Sequence, residues 1–162
     1  MRLACCPLEG RSGHEAGRAL LARLYAQTVG KPMPPIVTGP WGKPAFADGD
    51  WHFSISHTRK HAFCVLAREN VAVDAEELDR RVNLSLAEKI LSPGEKAQFD
   101  AAADKARALL TFWVLKEAAA KLSGRGLRGY PNQTNFSLED PRVQERDGCI
   151  VAIMKEGETY AV

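Results

Sequence analysis

The sequence has few cysteines, and their spacing fits neither a disulfide framework nor a cysteine-rich metal site. Cys5 and Cys6 are adjacent, Cys64 and Cys149 stand far apart, and there is no C-x-x-C pair. Structural zinc sites usually take their thiolates from such pairs. The pattern is instead typical of small buried hydrophobic residues, and we expect a protein of the reducing cytoplasm.

Long apolar runs and blocks of like charge are also missing. Leu3–Cys6 is far too short for the apolar region of a signal peptide, and nothing in the chain approaches the ~20 apolar residues of a membrane span. The 22 basic and 20 acidic residues leave a net charge of only +2. These absences argue against a membrane or a nucleic acid as the partner, and we expect a mature cytoplasmic protein.

The composition is that of a soluble globular protein. Of the 162 residues, 45% are hydrophobic and 26% are charged, which is enough apolar material for one ordinary core. No internal repeat and no low-complexity linker is visible. The sequence is therefore compatible with one domain or with two small, closely packed halves.

Helix signals are clearest at three places. Ser12–Glu15 reads S-G-H-E, a capping box that opens a helix, and Gly30 is a natural end for it. A second capping box begins at Ser92, with proline in the first turn. The composition then predicts a longer helix from about Asp104 to Ser123.

Strand signals lie on both sides of these last two helices. Three runs separated by short polar turns suggest an antiparallel meander: His52–His57, Ala62–Ala67 and Val71–Glu76. Asn135–Leu138 has strand-like composition, and Asp147-Gly148 is a hairpin signal between two further strands. The order of strands, helices and strands predicts an α+β architecture.

Acidic residues recur at positions that could form one site. V-A-V-D-A-E at Val71–Glu76 alternates at the period of a strand, so Asp74 and Glu76 point to one face. Glu117 and Lys121 are neighbours on one face of the long helix. Three carboxylates and a lysine would suit Mg²⁺ and a phosphate ester. Alternatively, the two strand acids end an edge strand, and Glu117 and Lys121 form a surface ion pair.

Four ordered motifs carry a more specific indication. They are G-K-P-A-F at Gly42–Phe46, F-S-I-S-H at Phe53–His57, the acidic strand, and F-W-V-L-K-E-A-A-A-K at Phe112–Lys121. The helical motif continues as K-L-S-G-R-G-L up to Leu127. Their order and spacing resemble the 4′-phosphopantetheinyl transferases, in particular the larger, pseudo-dimeric Sfp-like branch. The resemblance covers about half of the chain.

The resemblance implies a fold and a reaction. The fold would be α+β, with two similar sheet-plus-helix halves, residues 1–68 and 69–162, related by a pseudo-two-fold axis. The reaction would be the Mg²⁺-dependent transfer of 4′-phosphopantetheine from coenzyme A to a serine of an apo acyl or peptidyl carrier protein, releasing adenosine 3′,5′-bisphosphate. Because both upstream motifs lie in the same chain as the acids, we expect a monomer rather than the trimer of the smaller synthase branch.

The resemblance also assigns roles to individual residues. Asp74, Glu76 and Glu117 would hold the Mg²⁺ ion. Lys121 would contact the diphosphate of coenzyme A, and either Glu117 or a water that it orients would take the proton of the attacking serine. The remaining predicted contacts to coenzyme A are Lys43, Ser56, His57 and Lys116.

Two departures from the family pattern leave other functions open. The N-terminal half is shorter than in the larger branch, and Ala72 occupies a position that is usually glycine. A non-catalytic homologue that binds coenzyme A or a carrier protein is therefore the main alternative. A generic metal-dependent phosphate-ester hydrolase is a third hypothesis, and it predicts phosphate release without a carrier.

Overall fold

The computed structural model of the protein describes residues 1–39, 42–124 and 133–157. Its strands are β1 (Arg2–Pro7), β2 (Ile36–Thr38), β3 (Pro44–Phe46), β4 (His52–His57), β5 (His61–Ala67), β6 (Val71–Glu77), β7 (Val143–Arg146) and β8 (Cys149–Lys155). Its α-helices are α1 (Gly13–Val29), α2 (Ala87–Ile90), α3 (Pro93–Ala101) and α4 (Lys105–Ser123), and a 3₁₀ turn at Leu84–Leu86 precedes α2.

The helices begin and end where the local sequence predicts. Both capping boxes form: Ser12 accepts the amide of Glu15 at the start of α1, and Ser92 accepts the amide of Glu95 at the start of α3. Asp104 caps α4, which ends at Gly124 in the left-handed conformation with φ of 71°. Glycine adopts that conformation without steric cost, so the position after Ser123 stops the helix.

Two three-stranded sheets share one topology. The first has the order β1-β5-β4 and the second the order β6-β8-β7, with all neighbours antiparallel. In each sheet the first strand is followed by its long helix, and a hairpin then returns so that its second strand lies in the centre. This repetition confirms the expected α+β fold built from two similar sheet-plus-helix units.

The predicted three-stranded meander is wrong in its third strand. β4 and β5 form the expected hairpin, but β6 pairs with β8 in the other sheet. Since β1 and β4 pair with the two edges of β5, β5 has no free edge with which β6 could pair. The turn at residues 68–70 therefore carries the chain from one sheet to the other. The predicted division between residues 68 and 69 falls in this turn, and as a domain boundary it stays a prediction.

The two sheets pack face to face, and each carries a helix on its outer side. Phe63 and Val65 of β5 meet Val73 and Ala75 of β6 in a buried layer between the sheets. The opposite face of β5 packs against α1, and the opposite face of β6 and β8 packs against α4. Strand alternation thus decides which residues face the other sheet and which face a helix.

Asn135–Leu138 was expected as a strand but runs alongside α3 instead. The amide of Phe136 donates to Glu95 and the amide of Leu138 donates to Gln98, at 3.0 Å each. Side-chain acceptors on the helix therefore take the place of a partner strand. Among the described residues, no helix is both long enough and apolar enough to cross a bilayer.

Candidate functional site

The candidate site lies where an edge strand of each sheet approaches the other. Ser56 of β4 is buried, and its hydroxyl donates to Asp74 Oδ1 of β6 at 2.9 Å. The same hydroxyl oxygen accepts the backbone N–H of Ala75 at 3.3 Å. Ser56 therefore ties β4 to β6 and orients the first of the predicted acids. Its predicted contact with coenzyme A stays a prediction.

Lys121 reaches the junction of β4 and β6, called the seam below, from the last turns of α4. Its ammonium lies 2.7 Å from Asp74 Oδ1 and also donates to Ser56 Oγ at 3.2 Å. Asp74 is 91% buried as a side chain, whereas a third of Lys121 stays exposed. Helix and strand residues that are far apart in sequence therefore converge. Lys121 of the helix forms its ion pair with Asp74 of the strand. The alternative left open by the sequence, a surface ion pair between Lys121 and Glu117, is not what the structure shows.

Asp74 and Glu76 point to the helix side of β6, as the alternation predicts. Their cross-strand partners on β8, Ala152 and Ile150, belong to the core beneath α4. Glu76 is more exposed than Asp74 and forms an ion pair with Arg80, four residues further on. Each of the two strand acids is thus paired with a basic side chain of the protein.

Glu117 completes the group from the face of α4 that overlooks β6. Burial raises the pKa of Glu117, the negative charge of Asp74 raises it further, and Lys121 partly opposes the shift. Glu76 contributes a smaller increase to the same pKa. The three carboxylates and Lys121 therefore share one electrostatic environment, in which ionised Glu117 is disfavoured.

The chemistry of this set fits a divalent cation. Three carboxylate oxygen donors with mutual repulsion are the hard ligands that Mg²⁺ binds, and a dication would relieve that repulsion. Within residues 1–39, 42–124 and 133–157, no three histidine, cysteine, aspartate or glutamate side chains are already grouped as a metal site. Metal binding at Asp74, Glu76 and Glu117 would therefore bring these carboxylates closer together, at the expense of the contacts of Asp74 with Lys121 and of Glu76 with Arg80.

The raised pKa of Glu117 predicts a stability effect. A carboxyl whose pKa is higher in the folded protein stabilises it at low pH, and this contribution is lost as pH rises through the folded pKa. Glu117→Gln mimics the protonated form, so in the absence of metal it should melt a few degrees higher than the unaltered protein at pH 7. The two should melt alike at pH 4. Thermal unfolding across this range checks the result, with the exposed Glu139→Gln as control, and a lower melting temperature at pH 7 would contradict it.

Lys43 lies beside a small cavity between the two halves of the fold. The cavity has a volume of about 270 Å³ and is bounded by Gly42–Pro44, by Phe53–Ile55 of β4, and by Ala120, Lys121 and Gly124 at the end of α4. Lys43 Nζ donates to Asn70 Oδ1 at 2.7 Å, and burial lowers the pKa of Lys43. The G-K-P and F-S-I-S-H motifs therefore meet at one cavity beside Lys121.

His57 ends β4 at the exposed side of the seam. Its ring lies directly against Gly13 at the start of α1, where an added Cβ would come within 2.3 Å of the ring. Only glycine fits at this position without displacing the histidine. His57 also borders a second, polar cavity of about 770 Å³, whose other walls include Arg59, Glu76 and Arg81.

Lys116 is not with the other predicted residues. Its ammonium is buried, 2.7 Å from the fully buried Glu95 of α3, and it donates to Thr134 Oγ1 at 3.0 Å. Burial lowers the pKa of Lys116, and the charge of Glu95 opposes that shift. These contacts are those of an internal ion pair between two helices. A contact of Lys116 with coenzyme A stays a prediction that these interactions do not favour.

Sequence reasoning missed one residue at the site, Asn70, and one contact, the ion pair of Arg80 with Glu76. Asn70, in the turn before β6, bonds both to Lys43 and to the end of α4. Arg80 pairs with Glu76 just after β6. The spacing of Arg80 four residues after Glu76 was a visible signal for the second, whereas the partners of Asn70 lie too far along the chain for any local pattern.

Comparison with known proteins gives consistent matches. A family model described as the 4′-phosphopantetheinyl transferase superfamily matches residues 70–157, more than half of the chain. The chain is 37% identical over 121 residues to the 4′-phosphopantetheinyl transferase AcpT of Salmonella typhi. The aligned region covers 70% of this chain and 59% of that protein. The AcpT of Escherichia coli is 35% identical over 114 residues, covering 67% and 56%.

A more distant relative extends the comparison. The 4′-phosphopantetheinyl transferase gsp of Aneurinibacillus migulanus is 27% identical over 115 residues, covering 68% of this chain and 48% of that protein. The chain thus spans about half to three fifths of the length of these curated relatives. The family model includes the acidic strand and the long helix, which carry Asp74, Glu76, Glu117 and Lys121. The chain belongs to the 4′-phosphopantetheinyl transferase superfamily.

Proposed function

We propose that the protein transfers 4′-phosphopantetheine from coenzyme A to a serine of an apo acyl or peptidyl carrier protein, with Mg²⁺ as cofactor. The observation that carries this proposal is the convergence of Lys121 with Asp74 at 2.7 Å, beside Glu117 and Glu76. The named functions of the relatives support the same reaction. The chain spans about half to three fifths of the length of those relatives, so its activity is to be measured directly.

Each residue of the site has a chemical task in this proposal. Asp74, Glu76 and Glu117 would hold Mg²⁺, which supplies positive charge to the diphosphate. Lys121, already partly exposed, would turn its ammonium to the diphosphate and offset charge on the departing phosphate oxygen. Glu117, or a water that it orients, would accept the proton of the carrier serine.

Two cavities that border β4 support a binding mode for coenzyme A. The smaller one, beside Lys43 and Phe53, has a largely apolar wall that suits the adenine ring. The larger one is bordered by His57 and by charged side chains of both signs, among them Arg81 and Glu76, and would take the 3′-phosphate of the nucleotide. Histidine and arginine can donate charge-assisted hydrogen bonds to phosphate oxygens. The nucleotide would thus span the seam between the two halves.

A groove next to the acidic strand supports docking of the carrier protein. It has a volume of about 280 Å³, with Arg80 and Arg81 at its edge and Leu109 and Trp113 among its apolar walls. Leu84 and Leu86, beside this groove in the chain, are 44% and 38% exposed. Carrier helices are typically acidic, so an apolar groove with an arginine rim matches them in charge. The position of the groove after Glu76 would bring the carrier serine to the site.

This docking surface predicts a selective kinetic effect. Leu84→Asp and Leu86→Asp should each raise the KM for the carrier about tenfold, because they place a negative charge where an acidic helix must bind. The affinity for coenzyme A should not change. Steady-state kinetics with varied carrier checks this, with Val37→Asp on β2 as a control of similar exposure. An unchanged KM for the carrier in both leucine variants would remove this surface from the proposal.

The decisive experiment is a mass measurement on the carrier. The protein is incubated with an apo carrier, coenzyme A and Mg²⁺, and the carrier is then weighed for the gain of one phosphopantetheine group. Several carriers, including one from the same cell, should be tried. Binding of coenzyme A without any mass gain would favour the non-catalytic homologue, and phosphate release without a carrier would favour the hydrolase.

We also propose that the enzyme acts as a cytoplasmic monomer, without nucleic acid or membrane. The site is assembled from both sheet-plus-helix units of one chain, so no second copy is needed to complete it. All four cysteines are free, as expected in a reducing compartment. Measurement of the molar mass in solution tests the monomer, and a trimer would indicate sites shared between subunits.

A further inference from the structure

Three segments that are distant in sequence meet at the carboxyl end of α4. Lys43 Nζ, from the loop before β3, donates to Asn70 Oδ1 at 2.7 Å and to the carbonyl oxygen of Leu122 at 3.4 Å. The side-chain amide of Asn70, in the turn before β6, donates to the same carbonyl at 3.2 Å. The three groups form a closed triangle of hydrogen bonds.

The hydrogen-bond triangle supplies donors to a carbonyl group at the carboxyl end of α4. The last carbonyl groups of an α-helix have no donor within the helix, and a cation there interacts favourably with the helix dipole. Leu122 is one residue from the end of α4, and its carbonyl oxygen receives the ammonium of Lys43 and the amide of Asn70. The stem of Lys43 also packs over the capping Gly124, where an added Cβ would lie 3.7 Å from Lys43 Cδ.

The same contacts join two walls of the smaller cavity. Gly42, Lys43 and Pro44 form one wall, and Ala120, Lys121 and Gly124 form the facing one. A bond between Lys43 and Leu122 therefore sets the distance between these walls. Lys121, whose ammonium reaches Asp74, lies immediately before Leu122 on the chain. The end of α4 thus controls both the width of the cavity and the position of this lysine.

We propose that Asn70 and Lys43 act as a positioning pair that clamps the Gly42–Pro44 wall to the end of α4 and so shapes the cavity for the coenzyme. The identity of the coenzyme rests on the proposed function, but the clamp itself does not. In this role Lys43 acts on binding through the wall that it holds. A lysine that only contacted phosphate would have no need of Asn70.

A double-mutant cycle on coenzyme A affinity tests the pair. Asn70→Ala and Lys43→Met should each weaken binding about tenfold in calorimetry, and the double variant should bind no more weakly than either single one. Lys31→Met, at an exposed lysine in the loop between α1 and β2, should bind as the unaltered protein does. Asn70→Asp keeps an acceptor for Lys43 but loses the amide that donates to the Leu122 carbonyl, so it should recover only part of the affinity. Additive losses, or a loss in Lys43→Met alone, would overturn the proposal.

A second measurement needs no ligand and separates the clamp from the proposed function. Amide hydrogen exchange at residues 119–124 should be faster in Asn70→Ala than in the unaltered protein, because the Leu122 carbonyl loses one of its two outside donors and Lys43 loses its acceptor on Asn70. Unchanged exchange there would overturn the clamp. Absence of coenzyme A binding by the unaltered protein would contradict the proposed function instead, and exchange would still decide on the clamp. Should Asn70→Ala fail to fold, Lys43→Met gives the same exchange readout.

Discussion

Replacing Asp74 with asparagine is expected to lower the rate of phosphopantetheine transfer by about 10³-fold, equivalent to ~4 kcal/mol in the activation free energy. Asparagine keeps the shape of the side chain and an acceptor for Ser56, so the tie between β4 and β6 persists. It removes the charge that faces Lys121 and one of three candidate ligands for Mg²⁺. The loss should therefore fall on catalysis rather than on the fold.

Two measurements distinguish these consequences. Carrier modification in single-turnover conditions gives the rate, and thermal unfolding with and without Mg²⁺ reports metal binding without reference to activity. The variant should fold, and it should lose most of the stabilisation that Mg²⁺ confers on the unaltered protein. Asp100→Asn removes an exposed acid of α3 and should change neither result. Full activity of Asp74→Asn would exclude Asp74 from the site.

Removing the buried partner of Lys116 should have the largest effect on stability. Glu95→Ala is expected to lower the free energy of unfolding by about 4 kcal/mol, because it leaves a buried ammonium without its counter-charge. It also removes the acceptor for the amides of Ser92 and Phe136. For a chain of this size the melting temperature should fall by about 10 °C. Chemical denaturation provides the free energy directly.

Comparison of variants then separates a structural from a cofactor role for Lys116. Lys116→Met should destabilise the protein less than Glu95→Ala, since the carboxylate of Glu95 keeps its two amide donors. Its affinity for coenzyme A, measured on folded protein, should stay close to normal. Glu88→Ala removes an exposed acid and should change stability by no more than about 0.5 kcal/mol. If Lys116→Met folds stably but does not bind coenzyme A, that result would support the contact between Lys116 and coenzyme A predicted from the sequence.

Local features of this protein could be predicted from the sequence because their physical causes act over a few residues. The capping boxes at Ser12 and Ser92 and the glycine after Ser123 act within a few residues, so their effect does not depend on the rest of the chain. Alternation along β6 correctly placed Asp74 and Glu76 on one face. The four motifs, read together, led to the family that the comparisons then showed.

Contacts between segments that are far apart in the sequence could not be predicted from local patterns. β6 looked like the third strand of a meander because nothing local reveals that both edges of β5 are taken. Asn135–Leu138 has strand-like composition, yet acceptors on Glu95 and Gln98 hold it beside α3. In both cases a contact of high sequence separation overrode a local preference.

Local sequence was enough to predict where helices start and stop, which acids share a face, and which chemistry a lysine with three carboxylates would suit. The packing of distant segments brings Lys121 to Asp74, buries Lys116 against Glu95, and lets Asn70 join Lys43 to the end of α4. The physical reason is that the periodicity of a helix or strand specifies the direction of a side chain. What lies in that direction depends on how distant segments pack.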